Sequence, residues 1–179
     1  MKEKSPTIIW CDTFRREFRK ESDRASAILA SAMIEKSLEM MIKAKLIPSL
    51  SKKSKKDELF DTPYAPLRNF KAMIELAYRI GLISSNLYRD LNIIRDIRND
   101  FAHDIEGCSF ENRSVKNRVG ELMKSSTIAS RHPDWRPKFF PKGPRGDFEM
   151  TISWILWNLS EELANTQPMK SHVIEFGYL

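Results

Sequence analysis

Arg98, Asn99 and His103 are the residues of this chain whose types and spacing most invite chemistry. A guanidinium is always charged and offers a planar fork of donors that suits a phosphate. An imidazole titrates near neutral pH and can give or take a proton. Asn99 lies four residues before His103, the spacing at which side chains on a helix touch. The run Arg98-Asn99-Asp100-Phe101-Ala102-His103 closes a strongly amphipathic segment, so Arg98 is either a structural anchor or half of an active site.

A helical wheel separates the two ends of that run. At ~100° per residue, Leu87, Leu91, Ile94, Arg98 and Phe101 fall within about 80° of one another, which places Arg98 in the apolar stripe. A guanidinium taken from water without a partner costs several kcal/mol. The carboxylates best placed to meet it are Glu35 and Glu39, which share a face with Ile28, Ala32, Ile42 and Leu46 within about 80°. A structural ion pair of Arg98 with Glu35 or Glu39 is therefore expected, ideally as a bidentate fork. The alternative is that this stripe borders a groove or a dimer interface and its charges stay wet. His103 points about 140° away from Arg98, on the side of Asn92, Asp96 and Asn99. It could bond the last carbonyls of its helix, or act if a phosphate or a second subunit is brought to the same face.

A second chemistry is carried by Arg131, Trp135, Arg136, Lys138, Phe139, Phe140, Lys142 and Arg145, where cations alternate with aromatics. That mixture suits phosphate contact with base stacking. It equally suits a loop whose aromatics plug the core while its cations stay solvated. Metal and cofactor chemistry is not expected. His132 and His172 have no ligand partners at metal spacing, no Gly-rich phosphate loop is present, and no nucleophile has a base nearby. Cys11 and Cys108 read as reduced thiols.

Helices are expected to position these residues. The patterning predicts a helix over about Pro6–Glu21 and a long one over Asp23–Leu46, capped by Ser22 or Asp23 and apolar nearly all round, hence central. A lysine-rich loop follows over Ser49–Lys56. A third helix should start near Pro66, carry Leu67, Phe70, Ile74 and Ala77, and stop at Gly81. A fourth, capped by Ser84, should end near His103. A fifth is predicted over about Ser109–Lys124 and a last one over about Asp147–Asn165, with no element assigned to His172–Leu179. Between them, Ser130–Gly146 holds four of the chain's nine prolines and reads as irregular.

The whole is expected to be one all-α domain over residues 1–179, a bundle of about five to seven helices without a substantial sheet. Residues 23–103 would form its core, 130–146 a basic and aromatic loop, and 147–179 a terminal helix and tail. The 179 residues carry a net charge of +6, concentrated in Lys52, Lys53, Lys55 and Lys56 and in the 131–145 segment. That excess permits acidic or phosphate-bearing partners without requiring them. No apolar run reaches the ~20 residues of a membrane helix, and no signal-peptide h-region follows Met1, so a cytoplasmic protein is expected.

The motif Arg98–His103, an arginine and a histidine on one helix of an α-bundle, resembles that of the HEPN superfamily. That likeness implies a metal-independent ribonuclease of toxin type, with two motifs meeting across a dimer. His103 would transfer a proton with the 2′-hydroxyl or leaving oxygen, Arg98 would steady the phosphate, and Asn99 would orient either. A wider stretch, 23–103, resembles the mannitol operon repressor family. It runs from Asp23-Arg24 and Glu35 through Ala65-Pro66-Leu67-Arg68-Asn69-Phe70-Lys71 and Ala77–Ser84. Tyr88-Arg89-Asp90-Leu91, Ile94-Arg95 and Arg98–His103 complete it. That family is all-α, regulates mannitol uptake and utilisation negatively, and carries no recognised helix-turn-helix. Segment 131–145 departs from it. The expectation is a non-enzymatic, repressor-type regulator acting through a protein partner or as a homodimer. The ribonuclease and the nucleic-acid binder remain the alternatives.

Overall fold

The computed structural model describes residues 16, 18, 20–49, 57–104, 107–125 and 140–170. Among these residues the elements are five helices and no strand: α1 (Asp23–Lys45), α2 (Phe70–Arg79), α3 (Ser85–His103), α4 (Arg113–Ser125) and α5 (Pro144–Asn165). The architecture is all-α, as the patterning predicts. The 131–139 segment and most of the expected first helix lie outside the described residues; of that helix, Arg16 and Phe18 are helical, while Lys20 is in a turn and Glu21 in a bend.

Local chemistry sets the helix ends. Ser22 caps α1, its hydroxyl accepting from the Ala25 N–H at 3.2 Å. Asn69 caps α2 through the Ala72 N–H at 2.8 Å, and Ser84 caps α3 through the Leu87 N–H at 3.2 Å. Helix α2 ends in a Schellman turn. Gly81 adopts φ +73°, with the Leu82 N–H donating to the Ala77 carbonyl and the Gly81 N–H to the Tyr78 carbonyl.

Three boundaries differ from the sequence reading. Helix α2 starts at Phe70 rather than near Pro66, because Asn69 is the better cap and 57–69 is folded into turns that bury Phe60 and Leu67. Helix α4 starts at Arg113, after a turn closed by the Asn112 N–H on the Ser109 carbonyl. Helix α5 starts at Pro144 rather than Asp147, with proline tolerated in its first turn. Arg145 and Gly146 are thereby helical residues, not loop residues.

The long apolar helix α1 is central, packing on α5, α3 and α2, while α4 rests on α5 and α3. Helices α1 and α5 run parallel. Near their starts Arg145 meets Asp23 at 3.1 Å, and beyond their ends the Met169 N–H donates to the Lys45 carbonyl at 2.8 Å. Helix α3 runs against α1, so that Arg24 near the start of α1 donates to the Asp104 carbonyl at the end of α3. Ile34, Leu38, Met41 and Ile42 of α1 fill the middle with Ile74, Leu91, Ile94 and Ile97. Below them Phe101, Phe110 and Phe148 stack in sequence, with centroids 4.9 and 5.0 Å apart. No helix among the described residues is long and apolar enough to cross a membrane.

The entry into α5 permits no side chain at Gly146. A Cβ there would stand 1.7 Å from the Pro141 carbonyl oxygen, a backbone atom that cannot swing away. Gly146→Ala should therefore lower unfolding stability by about 2 kcal/mol or more, measured by urea denaturation. Gly120→Ala, in open space on α4, should leave stability unchanged or raise it.

Candidate functional site

Helix α3 presents Arg98, Asn99 and His103 differently from the simple wheel. Its fully enclosed apolar face runs through Leu91, Ile94, Ile97 and Phe101, so Ile97 occupies the position expected for Arg98. The helix is turned enough to bring Arg98 to the margin, where it is half-buried. There its Nη1 donates to Asn99 Oδ1 at 3.0 Å. His103 is exposed on the last turn, away from Arg98. The polar side of α3 is otherwise tied together by Arg95, which bonds Asn92 at 2.9 Å and Asp96 at 2.8 Å.

No ion pair within 4.0 Å joins Arg98 to Glu35 or Glu39 among the described residues. The expected fork gives way to a longer-range relation. Glu39 is engaged on its own helix by Lys43 at 2.7 Å and Lys36 at 3.0 Å. Burial alone would raise its pKa, but the bonds from both lysines outweigh that and hold it below the usual glutamate value. Glu35 has no such partner among the described residues. Burial raises its pKa, the nearby positive charge of Arg98 works against the rise, and Glu39 adds to it. The stripe containing these carboxylates borders an open groove.

That groove lies between α1 and the 57–69 turns and has a volume of about 210 Å³. Ala32, Phe60, Leu67 and Met73 form its apolar lining, and Glu35, Lys36, Glu39 and Arg68 its charged lining. The turns hold their shape because the Leu67 N–H donates to the Leu59 carbonyl at 2.9 Å and Asp57 accepts from the Leu59 N–H at 2.9 Å. Lys43 sits 4.6 Å over the Phe60 ring, tying the turns to α1.

Two residues between Arg98 and His103 are occupied by the fold. Asp100 forms an ion pair with Arg118 of α4, and Phe101 is buried in the aromatic stack. Neither Arg118 nor the Arg24 bond to Asp104 has a sequence signal, since their partners stand 18 and 80 residues away.

Of the basic and aromatic segment, Arg131, Trp135, Arg136, Lys138 and Phe139 lie outside the described residues. Lys142 is exposed. Arg145 is not available to a nucleic acid in this arrangement. Its Nη2 donates to the Phe18 carbonyl at 2.7 Å, its Nη1 meets Asp23 at 3.1 Å, and its Nε meets the buried Glu149 at 2.8 Å. Asp23 also accepts from the Phe110 N–H at 3.0 Å, and Ser26 donates to Glu149 at 3.3 Å. Cys108 stands near Asp104 and Asp100. Burial first, then those carboxylates, raises its thiol pKa, which keeps it in the unreactive form.

No family model and no curated protein matches the chain. The fold is similar to that of a chain in the X-ray structure of the MtlR–HPr complex from Escherichia coli. The TM-score is 0.57 at 14% sequence identity, covering 87% of this chain and 99% of that one.

Removing Arg145 strands a buried carboxylate, so Arg145→Met should cost about 3 kcal/mol in urea denaturation, against ~0.5 or less for Lys142→Ala. For Glu35, the raised folded-state pKa means that the fold disfavours the ionised form. This penalty is absent below the unfolded pKa of about 4.5 and develops as pH rises through the folded value. Glu35→Gln should therefore raise the melting temperature at pH 7, and the gain should shrink as pH falls toward 4.

Proposed function

We propose that this protein is a non-enzymatic regulator of the mannitol-repressor type, working in the cytoplasm chiefly through contacts with another protein. The observation that carries the proposal is the likeness of its fold to a chain of the MtlR–HPr complex, an assembly of two proteins. The sequence stretch over 23–103 that resembles the mannitol operon repressor family agrees with it, since α1, α2 and α3 all lie within that stretch.

The geometry around α3 supports the same reading over a ribonuclease. A nuclease would need Arg98 and His103 to converge on one phosphate. They diverge by about 140° on their helix, and Arg98 bonds Asn99 while His103 faces outward. Apolar side chains are available for a protein contact: Ile28, Leu29 and Met40 on α1 and Trp157 on α5 are all exposed. Trp157 is held against Trp154 with ring centroids 4.6 Å apart, so it is presented as a fixed rather than a free side chain. Rigid aromatic anchors of this kind are favoured at protein interfaces.

Isothermal titration of the full chain with HPr should give a saturable heat that Trp157→Ala weakens by tenfold or more. Metal-free RNA cleavage by the wild type that disappears in His103→Ala would overturn the non-enzymatic reading. Duplex DNA binding that weakens steeply with salt would instead favour the nucleic-acid alternative.

A further inference from the structure

The groove between α1 and the 57–69 turns has a charge arrangement that the fold itself does not use. Glu39 is neutralised by Lys36 and Lys43, which leaves Glu35 and Arg68 as its two uncompensated charges. Glu35 is half-buried and has no hydrogen bond or ion pair among the described residues. The positive charge that acts on it is that of Arg98, whose Nη1 is held by Asn99. Arg68 gives Nη1 to the Pro63 carbonyl at 3.2 Å and has no carboxylate within 4.0 Å among the described residues. A carboxylate and a guanidinium thus line one groove without meeting each other, and the surface beside them is Ala32, Phe60, Leu67 and Met73.

We propose that this groove binds a small zwitterion with an apolar body, the chemistry of a free apolar α-amino acid. The ammonium group pairs with Glu35, the carboxylate takes the remaining donors of Arg68, and the side chain lies on Phe60, Leu67 and Met73. Each contact has a physical reason. A guanidinium matches a carboxylate with two parallel bonds. An ammonium beside a desolvated carboxylate restores the favourable interaction that burial removed. The apolar lining gains about 25 cal/mol for each Å² of ligand surface removed from water. Size selects the class further. At about 210 Å³ the groove is smaller than the ~300–1,000 Å³ usual for cofactors and drug-sized ligands.

The full chain, isotopically labelled with nitrogen-15, is titrated separately with L-leucine, L-methionine and L-phenylalanine to about 10 mM, which detects dissociation constants in the millimolar range. At least one should produce saturable amide shifts confined to the groove, at Ala32, Glu35, Leu67 and Met73. Leucinamide, which lacks the carboxylate, and 4-methylpentanoate, which lacks the ammonium, should bind at least tenfold more weakly than leucine if leucine binds. Glu35→Gln and Arg68→Gln, each verified as folded by its amide spectrum, should each lose tenfold or more. The proposal is overturned by the absence of saturable groove shifts with all three amino acids. It is equally overturned if the singly charged analogues bind as well as the zwitterion, or if both variants bind as the wild type does.

Discussion

Arg145 joins three separate parts of the chain at one guanidinium: the Phe18 carbonyl, Asp23 at the start of α1, and Glu149 one turn further along α5. The arrangement answers a problem created by running α1 and α5 parallel. Parallel helices place their N-termini side by side, and each terminus carries about half a positive charge. Asp23 and Asp147, in the first turns of the two helices, bring negative charge to that end, and Glu149 adds to it. Arg145 then holds Asp23 and Glu149 in register, and Ser26 supplies a further bond to Glu149. A buried ion pair of this kind contributes little net stability against an apolar substitute, yet losing one member is expensive. Its effect is therefore to fix which helix ends meet.

The rest of the bundle is arranged around that end. Asp23 also accepts the Phe110 N–H, which sets the connection between α3 and α4 and places Phe110 between Phe101 and Phe148. Arg24, the neighbour of Asp23, reaches the last carbonyl region of α3 at Asp104. The hexapeptide from Arg98 to His103 thus ends at a cross-linked corner of the bundle. Its inner members, Asp100 and Phe101, are structural, and its outer members, Asn99 and His103, form a polar margin.

The opposite flank of α1 shows a different economy of charge. Lysines one turn before and after Glu39 neutralise it within its own helix, which makes that pairing local and independent of the tertiary fold. Glu35 sits between Arg98 on one side and the open groove on the other, and neither position gives it a direct partner. The groove exists because 57–69 folds into turns that bury Phe60 and Leu67 against α1 rather than extending α2 toward Pro66.

Periodicity and capping in the sequence determined the helices themselves. Ser22, Ser84 and Gly81 are short-range signals whose partners lie within a few residues, so the ends of α1 and α3 and the stop of α2 were legible from the chain alone. So were the central place of α1 and the separation of Arg98 from His103, because both depend only on helical geometry. The sequence could not determine which side of a helix margin faces inward. Leu91, Ile94, Arg98 and Phe101 span nearly the same arc as Leu91, Ile94, Ile97 and Phe101, and only packing against α1 and α4 chose the second set. Nor could it show that Arg145 is bound to Asp23, 122 residues earlier, or that Asp100 pairs with Arg118. Charges read along a chain show their sign and local spacing. Which of them are satisfied, and which are left facing a groove, depends on distances that the tertiary structure alone sets.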